Sequence, residues 1–239
     1  MPSSGPRHRR VRLNDRMAAD DPGQRLREVF DPMPRITLIG YRGTGKSTVA
    51  SLLSDALGCD WCDADLVLEK KLGCSIASLV RARGENVFRD EEGVVLAESL
   101  ERFTGVLSTG GGAVLRAENR ELLRRLGRPI VWLTAPAEVV RHRLAADSST
   151  ADRRPALAAS PSGGLIAHGD PLAEVESALE QRAPLYRECA DVYVDTSIAT
   201  PSAVAAQVVA WLESEWATRH DRTTPGDRLP DQQGPGVMP

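Results

Sequence analysis

Short apolar runs alternate with longer amphipathic stretches through most of the chain, and this rhythm predicts strands and helices in turn. Residues 35–40 (RITLIG) read as a strand, followed by a helix from Lys46 to about Leu57. A second strand ends at Asp63-Ala64-Asp65, and helical segments run from about Leu66 to Phe103. Residues 105–109 (GVLST) form a third strand that runs into Gly110-Gly111-Gly112. Residues 117–126 read as helix, 129–134 (PIVWLT) as strand and 137–146 as helix. A polar stretch rich in Gly, Ser and Pro covers roughly 147–171, and a helix follows to about Glu188. The last strand is 191–195 (DVYVD), and an amphipathic helix runs from Pro201 to about Trp216. Strands separated by helix-length segments predict βαβ units, hence an α/β fold with a mostly parallel sheet covered on both faces. Ligands bind such sheets at the carboxyl ends of the strands, where every motif described below falls.

The two ends break the rhythm. Residues 1–33 are rich in Arg, Asp, Pro and Gly, with Arg7, Arg9, Arg10, Arg12 and Arg16 close together. A nucleic-acid arm or a transit peptide is one reading of these arginines. A disordered extension, or a true start at Met17 or Met33, fits better, because no apolar segment follows them. The tail at 217–239 has the same composition and is expected to be disordered. The 239 residues leave room for one domain between these ends. A formal net charge of −3 argues against a dedicated nucleic-acid binder, and no apolar run reaches the roughly 20 residues that span a bilayer. Cys59 and Cys62 form a lone C-x-x-C, readable as a redox pair or half a zinc site. No partner ligands stand at familiar spacing, and the apolar context favours ordinary core thiols.

Residues 40–47 (GYRGTGKS) fit G-x-x-x-x-G-K-[ST] between a predicted strand and a predicted helix, the context that a phosphate-binding loop needs. Its glycines let successive N–H groups face one centre at a helix N-terminus. Lys46 is one of only three lysines in the chain, and it is placed to reach the β- and γ-phosphates. The Ser47 hydroxyl is placed for Mg²⁺.

Four further motifs address the phosphoryl acceptor. Asp63 and Asp65, two apart on an extended strand, would point the same way. One would organise water around Mg²⁺ and the other would accept a hydrogen bond from a substrate hydroxyl; helix capping is the competing reading. Arg89 and Glu92, three apart on a helix, share a face, so a guanidinium pre-aimed at a substrate carboxylate competes with a plain surface ion pair. Gly110, Gly111 and Gly112 suit a turn whose N–H groups touch a ligand, or a merely flexible one. Arg182, two residues before Pro184, is a second candidate carboxylate clamp. Arg153, Arg154 and Pro155 lie in the polar stretch, whose composition suits a lid that closes over ATP and excludes water.

Taken in order, GYRGTGKST, DAD, GENVFRDEE, STGGGA, RRPAL and RAPLY resemble the shikimate kinase family over roughly residues 34–216. The resemblance implies an NMP-kinase-like P-loop fold, three-layered α/β/α, with a central five-stranded parallel sheet and a lid at about 147–171. It implies transfer of the ATP γ-phosphoryl to the 3-hydroxyl of shikimate, with Mg²⁺, in the biosynthesis of chorismate and aromatic amino acids. Asp65, Arg89, Gly111 and Arg182 would contact shikimate, with Gly110 and Gly112 beside them. Gly43, Thr44, Gly45, Lys46, Ser47 and Thr48 would hold ATP, with Arg143 facing adenine and Arg154 (or Arg153) reaching the phosphates. Asp63 and Ser47 would organise the metal. Lys46, Asp63, Asp65 and Arg154 would be the catalytic set. The lid departs from the family pattern, since Ala156 separates Arg154-Pro155 from Leu157. The expected setting is a cytoplasmic monomer whose partners are shikimate and ATP, with no nucleic acid or membrane.

Competing readings are a sibling P-loop kinase for gluconate or a nucleoside monophosphate, and a nucleotide-dependent regulatory module. Neither explains Asp65, Arg89, Gly111 and Arg182 together.

Overall fold

Apolar residues occupy successive positions in the strands, so both faces of the sheet must be covered. The computed structural model describes residues 35–147, 171–216 and 236–237. In chain order it contains β1 (Ile36–Ile39), α1 (Lys46–Leu57), β2 (Trp61–Asp63), α2 (Ala64–Leu72), α3 (Ile76–Arg83) and α4 (Glu85–Arg102). Then come β3 (Val106–Ser108), α5 (Ala117–Leu126), β4 (Ile130–Thr134), α6 (Ala137–Ala146), α7 (Pro171–Cys189), β5 (Val192–Asp195) and α8 (Pro201–Trp211). A π-helical turn at Leu212–Trp216 extends α8.

The sheet is parallel throughout, in the order β2-β3-β1-β4-β5-β6. The five expected strands are all present. The sixth, β6 (Gly236–Val237), corrects the expectation of a wholly disordered tail, because it pairs with Val192 and Tyr193 of β5. An edge strand offers unpaired N–H and C=O groups to any backbone, so composition alone does not forecast such an addition. Residues 1–33, the lid residues 148–170 and the rest of the tail lie outside the described residues.

One face of the sheet packs Leu38, Val106, Val131 and Val194 against Val49, Leu53 and Leu57 of α1 and Val204, Val208 and Trp211 of α8. The other packs Ile39, Leu107, Ile130 and Trp132 against Phe88, Leu96 and Leu100 of α4, Leu123 of α5 and Tyr186 of α7. Each such aliphatic side chain contributes about 1.5–3 kcal/mol on burial. The two cysteines of the C-x-x-C go to opposite layers, Cys59 to the first and Cys62 to the second. Burial pushes the Cys62 thiol up to about 11, with Asp63 adding to it. Their placement in different layers argues against a redox pair and fits the core reading of these thiols. No helix among the described residues is long and apolar enough to cross a membrane.

The chain enters the sheet through a clamp that sequence patterns do not reveal. Arg35, just before β1, donates from Nε (2.8 Å) and Nη2 (2.5 Å) to the carbonyl of Phe103, the C-cap of α4. Its Nη1 donates at 2.7 Å to the carbonyl of Leu126, the last residue of α5. Helix C-termini end in orphan carbonyls that carry partial negative charge, so one guanidinium satisfies two of them and holds both helices to the base of β1. Arg35→Met should therefore lower unfolding free energy by about 1–3 kcal/mol in urea titrations. An unchanged midpoint would remove the clamp from the account of stability.

Candidate active site

The phosphate loop leaves β1, the strand flanked by β3 and β4, at its carboxyl end. Gly45 caps α1 in the left-handed conformation (φ 87°), and the first turn of α1 carries no acidic residue. The helix N-terminus therefore presents its N–H groups and positive dipole end unopposed to an anion. Lys46 is the first residue of α1; it is buried, and its Nζ donates to the Tyr41 carbonyl at 3.0 Å. Thr44 Oγ1 donates to the same carbonyl at 2.7 Å, which fixes the curl of the loop. Ser47 and Thr48 follow, exposed. Arg143, on α6, donates to the carbonyl (2.6 Å) and hydroxyl (2.9 Å) of Thr196 and reaches the Gly43 carbonyl at 3.4 Å. It thus braces the loop from the β5 side.

Beside the loop, Ser47 Oγ donates to Asp63 Oδ2 at 2.5 Å. Ser108 Oγ, at the end of β3, donates to the same carboxylate oxygen at 3.3 Å and lies 3.4 Å from Ser47 Oγ. Strand register explains the meeting, since Asp63 and Ser108 are paired residues of neighbouring strands. Hard oxygen donors beside a phosphate nest suit Mg²⁺, which takes few protein ligands and leaves the rest to water and phosphate oxygens. No larger cluster of His, Cys, Asp or Glu competes for a metal among the described residues.

Asp65 reaches this corner by a different route from the one its spacing predicts. The strand stops at Asp63, which caps α2 by accepting a hydrogen bond from the Asp65 N–H (2.9 Å). Satisfying an orphan helical N–H outweighs two more residues of strand. Asp65 consequently lies in the first helical turn of α2 and does not share a strand face with Asp63.

A second cluster is built on the glycine turn after β3. Arg89 is buried, with Nη1 on Glu92 Oε2 at 2.8 Å and Nη2 on Glu85 Oε1 at 3.0 Å. Its guanidinium lies over the Phe88 ring, 4.7 Å from the centroid. The exposed-ion-pair reading therefore fails: Arg89 and Glu92 are 8% and 6% exposed. A Cβ on Gly112 would sit 2.0 Å from Arg89 Nη1, so only glycine leaves room for the guanidinium there. Arg182, on α7, is 5% exposed; its Nη1 donates to the Gly111 carbonyl at 3.4 Å, and its guanidinium lies over Tyr41, 5.1 Å from the centroid. Two guanidiniums thus meet on successive residues of one turn. Gly110 begins that turn, its carbonyl accepting from the Ala113 N–H at 3.1 Å.

Asp63, Ser47 and Lys46 gather at the loop, while Arg89, Arg182, Gly111 and Gly112 gather at the turn beside it. Arg153 and Arg154 lie outside the described residues. Tyr41, Glu85 and Ser108 lie inside the sequence motifs, but the motifs do not assign their contacts. Glu85 carried one readable signal, its i,i+4 spacing from Arg89.

Gly112→Ala should force Arg89 off its two carboxylates, lowering unfolding free energy by about 1–3 kcal/mol while nucleotide affinity stays within about twofold. Urea unfolding and titration with a fluorescent nucleotide check this. Wild-type stability would mean that the guanidinium yields without cost.

The family described as shikimate kinase matches residues 42–213. The chain is 44% identical over 156 residues to a shikimate kinase of Nitratidesulfovibrio vulgaris, covering 65% of this chain and 83% of that protein. It is 39% identical over 180 residues to one from Oleidesulfovibrio alaskensis, covering 75% and 98%. The structure is similar to that of shikimate kinase from Acinetobacter baumannii in complex with shikimate, with a TM-score of 0.67 at 33% identity over 78% of this chain and 97% of that one. With its matching domain, phosphate loop and paired arginines, this chain belongs to the shikimate kinase family.

Proposed function

We propose that the chain transfers the γ-phosphoryl of ATP to the 3-hydroxyl of shikimate, giving 3-phosphoshikimate and ADP on the route to chorismate and aromatic amino acids. The observation that carries this reading is the state of Arg182. Its guanidinium is buried and its Nε has no hydrogen-bond partner among the described residues. No carboxylate among them forms an ion pair with it, whereas Arg89 has two. A buried, under-satisfied cation is costly and gains most from an anion that enters the site. A small carboxylate bridging Arg182 and Arg89 supplies that anion, and it would fix a ring whose hydroxyls face Asp65 and the glycine N–H groups.

Each residue then has a task. The loop N–H groups and Lys46 hold the ATP phosphates and neutralise charge on the transferring group. Ser47 and Asp63 would hold Mg²⁺, which supplies charge neutralisation between the β- and γ-phosphates when bound. Asp65 orients the acceptor hydroxyl and takes its proton as the bond to phosphorus forms. Arg154 or Arg153, from the lid, would reach the phosphates and close the site, and Arg143 would both brace the loop and face adenine. A monomer is the proposed state. The cytoplasm is the proposed compartment.

ADP release measured with shikimate, gluconate and nucleoside monophosphates tests the acceptor; turnover confined to another member of the panel would refute the assignment. Arg182→Ala should raise the shikimate KM by a factor corresponding to about 2–4 kcal/mol and leave the ATP KM nearly unchanged. Equal damage to both constants would count against its role. Asp65→Asn should act mainly on kcat, as loss of an interaction specific to the transition state does. A wild-type kcat would remove Asp65 from the chemistry.

A further inference from the structure

Tyr186 belongs to none of the groups assigned above, yet it touches the acceptor turn directly. It lies on α7 one turn beyond Arg182 and is 1% exposed. Its hydroxyl donates to the Gly111 carbonyl at 2.6 Å, a shorter contact than the 3.4 Å from Arg182 Nη1 to the same oxygen. Burial raises the Tyr186 pKa far above the usual phenol range, with Arg182 opposing the shift, so the hydroxyl keeps its proton and remains a donor. The ring has no freedom to withdraw, being stacked on Trp132 at 5.6 Å with 23° between planes. On its far side, Gly111 lies against the phosphate loop: a Cβ there would come 3.0 Å from the Arg42 N and 3.5 Å from the Gly40 O. The turn is therefore held between the tyrosine hydroxyl on one side and the loop backbone on the other.

We propose that Tyr186 is a positioning residue for phosphoryl transfer, its hydroxyl fixing the Gly111 carbonyl so that Arg182 is left to the incoming carboxylate. The inference rests on the shikimate reading above. Both hydrogen bonds end on one carbonyl oxygen, whose two lone pairs admit both donors, and the tyrosine's is much the shorter. Remove the hydroxyl, and the carbonyl keeps only the long contact from Arg182, so the guanidinium is drawn closer to the turn and away from substrate. The same loss lets the turn drift relative to the phosphate loop, where small displacements of reacting groups are expensive. Trp132 serves the arrangement indirectly by holding the ring.

Tyr186→Phe removes the hydroxyl and keeps the stacking. Steady-state kinetics should show the shikimate KM raised about 5- to 20-fold, with the ATP KM within about twofold and only a small change in unfolding midpoint. In an Arg182→Lys background the same substitution should add little, because both changes act on one contact. Wild-type shikimate KM in Tyr186→Phe, a parallel rise in both Michaelis constants, or independent multiplication of the two effects would each overturn the positioning role. Wild-type protein that turns over no shikimate would overturn the acceptor assignment and this inference together. Shikimate turnover by wild type with unaltered Tyr186→Phe kinetics would overturn the inference alone.

Discussion

Burial of two guanidiniums against one glycine turn is the constraint that the rest of the site accommodates. Like charges in a low-dielectric interior repel, and each loses its hydration, so the pair persists only where the surroundings compensate. The compensation is unequal. Arg89 has Glu92 and Glu85 as ion-pair partners and the face of Phe88 beneath it. Arg182 has the Tyr41 ring, a share of one carbonyl and the Tyr186 hydroxyl beside it. Glycine at 112 is the steric condition for the first guanidinium, and the carbonyl of 111 is the polar contact of the second. A substitution at Gly112 therefore displaces a buried guanidinium from its carboxylates.

Strand order explains why these groups stand next to the phosphate loop. In the sequence β2-β3-β1-β4-β5, the carboxyl ends of β2, β3 and β1 lie side by side. Register then pairs Asp63 with Ser108, and Ser108 with Leu38 of β1, two residues before the loop begins. The Asp63 corner, the glycine turn and the phosphate loop are thus consecutive exits along one edge of the sheet, although long stretches of chain separate them. Connections on the faces of the sheet supply the remaining side chains: α4 brings Arg89 and α7 brings Arg182. This is the usual crevice of an open parallel sheet, at the carboxyl ends of its strands.

Much of this was legible in the residues because it is local. The apolar runs marked the strands, and α1, α5 and α6 begin and end where their patterns do. The phosphate loop is a contiguous motif, and Arg89 with Glu92 obeys helical spacing. What escaped was either a competition or a long-range meeting. At Asp63 a strand and a helix cap compete for the same residue, and alternation alone does not show that the cap prevails. Arg35 meets carbonyls 68 and 91 residues away. Ser108 acquires its place only through the neighbouring strand, and β6 only through an open sheet edge. A pattern along the chain carries no signal for contacts of that kind.

The unequal treatment of the two arginines also separates their roles. Arg89 is held by carboxylates that must share it with any incoming anion, so its gain on binding is partial and its contribution is mainly direction. Arg182 has no such partner among the described residues, and its Nε is unsatisfied. On the proposed shikimate reading, the free energy recovered when a carboxylate arrives falls chiefly on Arg182, and before that arrival the fold carries the deficit. A protein that stabilised Arg182 internally, with a carboxylate in place of Tyr41, would be more stable and would bind its acceptor less well. On that reading, stability withheld at this one cation is the physical source of the site's demand for an anion.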